Sequence, residues 1–398
     1  MTSCRAFPAL ILLAACTGVG AHDSGLAVAT IDTLPSGAIS VMSPGPTAWA
    51  DTNGWRLVED GRITGTDRAP SMLTQPYDVA VDGAGRVYVA MGSPAAIKVY
   101  DRDGEYVRSI GRDGEGPGEF RSAMITILHD TLVVQDYQLR RLSLFDTAGQ
   151  YLTSWRSACC MRHSVRSDAA GLIYVAAMGS YNPDLSRIQY SMIRYRLNGT
   201  VVDTLRLPES PPIPGVEVSS EGHRGYFYLP DTPQTAYTAA PAGGVLYGWS
   251  GRYQLVESRT GGDTVRVLGR AWTPMPIREA KREALLKMMT EDNAAVAAQV
   301  KLSDMPETEP AFGWWIATDG RGDIWLSQPA GTDTLASHFD VFDSTGVYLG
   351  AVRGPLSARD PELWIGDEAY ALTETGEGLP EVVRFRIERG PRLSSNGR

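Results

Sequence analysis

The sequence predicts an all-β protein built from repeated four-stranded units, and two observations carry that prediction. The stretch 76–120 reads as four short strands followed by a glycine-rich loop, and imperfect copies of it recur towards the C-terminus. The 398 residues include 42 glycines and 25 prolines, which favour turns, and only one segment has a clear helical period. A single unit cannot bury both of its faces, so each unit needs neighbours of the same kind.

The first unit shows the pattern most clearly. Tyr77, Val79 and Val81 fall on one face of the first strand because side chains alternate along a strand. A glycine-containing turn at 82–85 leads to the apolar run 87–90, which is typical of a strand covered on both faces. A third strand at 97–100, a second turn at 101–104 and a fourth strand at 106–110 complete the unit.

Five further units follow, and the last is one strand short. They begin near residues 123, 163, 235, 314 and 363, while spare strand candidates lie before the first unit at 28–32, 38–42 and 55–58. Sheets arranged around a channel leave no long open edge if both ends of the chain share one sheet. We therefore predict a six-bladed β-propeller over residues 28–390, with the N-terminal strands completing the last blade and a disordered tail at 391–398.

Two segments are too long to be simple connections between blades, at 208–228 and at about 272–310. The second contains the one predicted helix and inserts before blade five. Its apolar residues lie near one face at spacings of three and four: Ile277, Ala280, Ala284, Leu285, Met288 and Met289. Two interpretations are open, a helix packed on the propeller and a moving lid over the channel.

The N-terminal region indicates export. Arg5 precedes an apolar run at 9–15 that is too short to span a bilayer, as in a secretory signal. The run ends in Leu13-Ala14-Ala15-Cys16, which resembles the lipobox of bacterial lipoproteins. We predict a signal peptide at 1–15, lipidation of Cys16 and a tether at 16–27; a plain signal peptide cut near Ala21 is the alternative. Thr17, where an aspartate would favour inner-membrane retention, favours the outer membrane, facing the periplasm or the cell surface.

The charge and the motifs limit the partners. A net charge of −9 without a basic block argues against nucleic acid as a partner. No nucleophile elbow, phosphate loop or paired metal-binding histidines occur in the sequence. We expect a monomer that contacts the membrane through its lipid and binds a small molecule, a glycan or an envelope protein.

Several segments resemble a known group. The run GRDGEGPGEF at 111–120, the Asp-x-x-Gly turns, the fifth-unit segment at 342–350 and the helix end at 305–308 resemble bacterial six-bladed β-propeller lipoproteins with NHL-like repeats. The resemblance covers nearly all of the mature chain. It implies the architecture and leaves the activity open, since members of this group are mostly uncharacterised.

The long connections all leave one face of the predicted propeller, whereas the turns within strand pairs are short. Because binding sites tend to lie on loops carried by a rigid scaffold, we predict the ligand site on that long-loop face, around the channel mouth. The candidate ligand-binding residues lie in or beside those loops: Arg112, Arg162, His163, His223, Arg224, Arg353 and Trp314.

The cysteines and the carboxylate-rich turns raise the possibility of a disulfide and of metal sites. Cys159 and Cys160 are adjacent, so a disulfide between them would be strained and reducible; two unreacted thiols and a zinc site with His163 and His223 are the alternatives. The turns at 101–104 and 319–323 resemble parts of calcium loops but lack the distal glutamate. We predict no metal site and no cofactor.

Three functions remain compatible with the sequence. The favoured one is a non-catalytic binding module in the bacterial cell envelope. The alternative is a channel-mouth enzyme of the lactonase or lyase type, which would hold a central divalent cation on the inner strands. The third is a structural envelope protein without a ligand.

Overall fold

The computed structural model describes residues 29–45, 54–64, 70–157, 165–178, 186–220, 223–291, 294–329, 338–354 and 363–390. Three strands precede the first blade: β1 (Thr30–Thr33), β2 (Ile39–Ser43) and β3 (Arg56–Thr64). Blade one consists of β4 (Pro76–Val81), β5 (Val87–Gly92), β6 (Ala95–Tyr100) and β7 (Tyr106–Ile110). Blade two consists of β8 (Met124–Leu128), β9 (Thr131–Asp136), β10 (Arg141–Asp146) and β11 (Tyr151–Arg156).

The remaining blades repeat this order with two insertions. Blade three has β12 (Arg166–Ser167), β13 (Ile173–Met178), β14 (Tyr190–Tyr195) and β15 (Val201–Arg206), and the hairpin β16 (Gly215–Ser220) and β17 (His223–Tyr228) follows it. Blade four has β18 (Thr235–Ala239), β19 (Val245–Trp249), β20 (Gln254–Ser258) and β21 (Arg266–Arg270). The helices α1 (Glu279–Thr290) and α2 (Ala294–Ala297) and a 3₁₀ turn (Leu302–Asp304) come next.

Blade five has β22 (Ile316–Thr318), β23 (Ile324–Ser327), β24 (His338–Phe342) and β25 (Tyr348–Arg353), and blade six has β26 (Leu363–Ile365), β27 (Glu368–Glu374) and β28 (Pro380–Glu388). The chain is therefore a six-bladed β-propeller with one helical insertion before blade five, as the sequence predicts. The first strands of the blades, β4, β8, β12, β18, β22 and β26, contact one another in a closed ring. This ring surrounds the central channel.

The core is distributed between the blades. In the described part of the chain, each pair of neighbouring blades shares one cluster of buried apolar side chains. Between blades five and six, for example, Trp325 and Phe339 pack with Ala369 and Phe385. Removing these side chains from water is the main stabilisation that holds neighbouring sheets together.

The ring is closed by β3, which pairs antiparallel with β28 as the outer strand of blade six. Arg62 on β3 donates to the buried carboxylate of Glu381 at 2.6 Å. The other two N-terminal strands do not join blade six. They form a hairpin in which β2 runs parallel to β21, so they extend the outer edge of blade four. The prediction that the N-terminal strands complete the last blade therefore holds for β3 and is wrong for β1 and β2.

The Asp-x-x-Gly turns are structural elements. The Asp82 Oδ1 accepts the amides of Ala84 and Arg86, and its Oδ2 accepts the Tyr88 hydroxyl at 3.0 Å. Asp168 with Tyr174, and Asp319 with Trp325, repeat this arrangement in blades three and five. A carboxylate that caps its own turn and anchors an aromatic residue of the next strand fixes the first hairpin of the blade.

The two insertions pack against each other. Leu285, Leu286 and Met289 of α1 pack on a cluster that includes Val218 of β16 and Val296 of α2. Met288, predicted on the apolar face, is 63% exposed because the buried face is turned towards Leu286 instead. Lys281 joins Asp231 at 2.7 Å and Glu309 at 3.2 Å, which fixes the helix to its surroundings. These contacts favour the packed helix over the lid.

Candidate functional site

A cleft of about 710 Å³ opens between blades four and five on the long-loop face. One wall comes from the residues that follow β2 and β21, and the other from the segment before β22 and the loop between β23 and β24. The lining residues are Pro44, Gly45, Arg270, Ala271, Trp272, Thr273, Met275, Glu309, Pro310, Ala311, Gln328, Pro329 and His338. Because one wall belongs to the outer strand of blade four, the cleft lies away from the inner ring rather than around the channel mouth.

Asp340 on β24 fixes the polar floor of this cleft. Its side chain is 0% exposed, and its Oδ2 accepts the Arg270 Nη2 at 3.0 Å and the Arg270 Nε at 3.2 Å. Its Oδ1 accepts the Gln328 Nε2 at 2.7 Å. A buried carboxylate is stable only with such partners, and both Arg270 and Gln328 then present the rest of their side chains to the cleft.

Two tyrosines complete this network. The Tyr253 hydroxyl donates to Asp340 Oδ2, and the Tyr348 hydroxyl donates to Oδ1 at 2.9 Å. The Arg270 guanidinium lies between their rings, with Cζ 4.1 Å from the Tyr253 centroid and 5.1 Å from the Tyr348 centroid. Cation–π contacts of this kind hold the guanidinium in one orientation.

The two tyrosines and the arginine of this network each keep one protonation state at ordinary pH. Burial, and then the Asp340 charge, raises the pKa of Tyr253 and of Tyr348. Burial would lower the pKa of Arg270, but interactions with Tyr253 and Asp340 outweigh it and raise that pKa above its usual value. The hydroxyls therefore stay protonated and the guanidinium stays charged.

His338 lies at the rim of the cleft and is held there by hydrogen bonds to two neighbouring residues. Arg353 Nε donates to His338 Nε2 at 3.3 Å, and Gln328 N–H donates to the His338 carbonyl at 2.9 Å. Among the described residues that line the cleft, none is a serine or a cysteine. Rigid polar groups among apolar walls are suited to binding a ligand.

The structure separates the sequence-predicted residues. Arg353 lies beside the cleft, bonded to His338. Trp314 is 53% exposed outside it, while its neighbour Trp315 is buried in the core. Arg112 is exposed and pairs with Glu119 of its own loop at 2.7 Å. The role of these residues in ligand binding stays a prediction.

The other predicted residues cannot be placed in a site. His223 and Arg224 begin β17, where their backbones pair with Ser220 and Ser219, and their side chains lie outside the described residues. Cys16, Cys159, Cys160, Arg162 and His163 also lie outside the described part of the chain.

Sequence reasoning missed Asp340, Arg270 and Gln328. A signal for the first exists: Asp340 interrupts the apolar run of β24, and an ionisable residue inside a buried strand requires buried partners. The identity of those partners depends on contacts between blades. No pattern within the repeat predicts them.

The predicted carboxylate turns serve backbone amides. Asp101 Oδ1 accepts the Asp103 and Glu105 amides, and Asp319 Oδ1 accepts those of Arg321 and Asp323. In the part of the chain that the structure describes, no group of three or more His, Cys, Asp or Glu residues could hold a metal ion. Among the same residues, no helix is long and apolar enough to cross a membrane.

Comparison with known proteins supports the fold. Residues 71–208, which span blades one to three, match the model of a family described as a 6-bladed beta-propeller. A search of curated proteins finds no match.

Three solved structures illustrate the likeness. A Bacteroides fragilis NCTC 9343 protein described as exported is 11% identical, with 88% of this chain and 99% of that chain covered and a TM-score of 0.47. Virginiamycin B lyase from Staphylococcus aureus is 12% identical, with 84% and 100% covered and a TM-score of 0.40. The PQQ-bound aldose sugar dehydrogenase of Streptomyces coelicolor is 14% identical, with 84% and 99% covered and a TM-score of 0.44. Likenesses at this level carry no argument about activity.

Proposed function

We propose that this protein is a non-catalytic binding module of the bacterial cell envelope and that it binds a small polar organic molecule, such as a sugar, in the cleft between blades four and five. The observation that carries this proposal is the Asp340 network, which holds Arg270 and Gln328 rigid at the floor of the cleft. Groups that are fixed before binding lose little entropy when a ligand arrives.

The dimensions and composition of the cleft support a small ligand. A volume of about 710 Å³ lies within the range of small-molecule pockets, roughly 300–1,000 Å³. Trp272, Met275 and the prolines supply apolar and aromatic surface, on which a sugar ring could stack, while Arg270, Gln328 and His338 supply polar groups. A folded protein partner could contact only the rim.

The binding proposal can be tested with a panel of monosaccharides, disaccharides and free amino acids. We expect at least one compound to raise the melting temperature of the wild-type protein. Trp272→Ala and His338→Ala should each weaken its binding at least roughly tenfold, a change of about 1.4 kcal/mol. Phe227→Ala, which truncates an exposed aromatic residue outside the cleft, is the control and should bind like the wild type.

Two outcomes contradict the proposal. If the cleft variants bind a hit as tightly as the wild type, the ligand site is elsewhere. If no compound binds, the better hypothesis is that the protein is a structural envelope protein without a ligand. Turnover of a lactone panel together with a stoichiometric divalent ion would favour the channel-mouth enzyme instead.

The envelope location in this proposal depends on the lipobox-like sequence that ends in Cys16. In cells given radioactive palmitate, the wild-type protein should become labelled and Cys16→Ser should not. Cys4→Ser removes the other N-terminal cysteine and should label normally. Unchanged labelling of Cys16→Ser would overturn the lipid anchor while leaving the cleft proposal intact.

A further inference from the structure

Arg166 lies in the wall of the central channel. It belongs to β12, the edge strand of blade three and a member of the inner ring. Its side chain is partly accessible to solvent, although protein atoms crowd around it. Arg166 is therefore a cationic residue of the strand that borders the channel, with part of its side chain open to solvent.

The repeat shows that an arginine is unusual at this position. In blades one, three, four and five, the first turn opens with the same backbone bond, donated by Asp82, Asp168, Ala240 and Asp319. The residues two positions earlier are therefore equivalent: Ala80, Arg166, Thr238 and Ala317. The other three are small and at most 7% exposed. Blade three thus places a long cationic side chain where its neighbours have room for a small one.

Within the described ranges, no direct partner neutralises the charge of Arg166. Its Nη1 donates to the carbonyl of Val165 at 3.1 Å. Among the described residues, no carboxylate lies within ion-pair distance of it. Burial lowers the pKa of Arg166, and the charge of Asp78 on the inner strand of blade one offsets this only in part. An unpaired guanidinium in such surroundings is costly unless a counter-ion joins it.

The carboxylate of Asp78 accepts hydrogen bonds from backbone amides. Its Oδ1 accepts the Val79 amide at 3.0 Å, and its Oδ2 accepts the Ile125 amide of blade two at 2.7 Å. The carboxylate therefore joins two blades instead of neutralising the arginine. It also cannot readily turn both oxygens towards a central divalent cation, which Arg166 would repel as well.

We propose that the central channel binds a small oxyanion, a carboxylate or a phosphate, at the guanidinium of Arg166. A planar guanidinium can donate two parallel N–H groups to two oxygens of such an anion. This site is distinct from the cleft between blades four and five and does not depend on it.

The experiment compares wild type, Arg166→Ala and Arg56→Ala in sodium phosphate and in sodium acetate, with ionic strength held constant by sodium chloride. The wild-type melting temperature should rise with the logarithm of the concentration of at least one of these anions. Arg166→Ala should lose that rise. Arg56→Ala, which removes an exposed surface arginine paired with Glu388, should keep it. A stronger response to phosphate or to acetate assigns the anion class.

Arg166→Ala should also fold, since blades one and five carry alanine at this position. Without phosphate or acetate it should melt higher than the wild type by about 2–4 °C, because the unpaired charge is gone. Arg166→Lys keeps the charge but not the fork of donors, so calorimetric titration should show roughly tenfold weaker anion binding. General salting effects would shift all variants alike. Equal shifts in all of them, or no shift in the wild type, would overturn the proposal.

Discussion

Arg270 and Arg166 are both partly buried arginines of the same propeller, yet their surroundings differ. Arg270 has Asp340 at 3.0 Å and two tyrosine rings around its guanidinium, whereas Arg166 has a backbone carbonyl and a distant carboxylate. These surroundings determine which interactions remain open to each guanidinium. Around Arg270 the polar groups satisfy one another and give a cleft its shape, while in the channel one charge remains available for an external anion.

Disrupting the Asp340 network around Arg270 should reduce the stability of the protein more than any other substitution considered. Asp340→Asn removes the buried charge that Arg270, Tyr253 and Tyr348 share, and leaves the guanidinium uncompensated. Removing one partner of a buried ion pair costs roughly 3–5 kcal/mol, so the midpoint of urea unfolding should fall accordingly.

The control for this substitution is Glu388→Gln at the surface. Glu388 pairs with Arg56 at 2.9 Å and with Arg386 at 2.7 Å, and solvent screens both pairs. Its loss should have a far smaller effect. If the two substitutions shift the midpoint equally, the Asp340 network does not stabilise the boundary between blades four and five.

Replacing a glutamine by methionine should change stability less, and the sign of the change should differ between Gln328 and Gln135. Gln328 donates to Asp340, so Gln328→Met should destabilise the protein by roughly 1.5–3 kcal/mol, the value of a hydrogen bond to a charged group. Gln135 is fully buried in blade two, and neither polar atom of its side chain has a hydrogen-bond partner among the described residues. Gln135→Met should instead stabilise it by about 1 kcal/mol, since no bond is lost.

The repeat itself supports that second expectation. Gln135 is the fifth residue of β9, and the fifth residue of β5 in blade one is the buried Met91. Urea unfolding of both variants gives the two signs directly. A loss of stability in Gln135→Met would show that the buried amide is satisfied in solution, for example by an ordered water.

Much of the fold could be predicted from the sequence because its signals are local. The alternation of β4, the Asp-Gly turns and the spare strand that becomes β3 each lie within a few residues. The attachment of β1 and β2 to blade four could not be read in this way, because it depends on parallel pairing with β21, more than two hundred residues further along the chain.

The candidate sites were harder to predict for a related reason. Loop length indicated the face on which the cleft opens, but Arg270, Gln328 and Asp340 come from blades four and five and meet only in the folded ring. Arg166 is detectable only after the turns are aligned by their backbone bonds, since β12 is only two residues long and shows no alternation. Sequence patterns indicate which residues form a strand. Which side chains of neighbouring blades meet depends on how the blades pack when the ring closes.

The path of the N-terminal region also has a mechanical consequence. The chain is on blade four at Ser43 and on blade six at Arg56, so the hairpin lies between the N-terminal side of the chain and the strand that closes the ring. A pulling force applied from that side would act first on the pairing between β1 and β2, and then on the ladder between β2 and β21. The hairpin would therefore detach from blade four before the force reached the pairing between β3 and β28, which closes the ring.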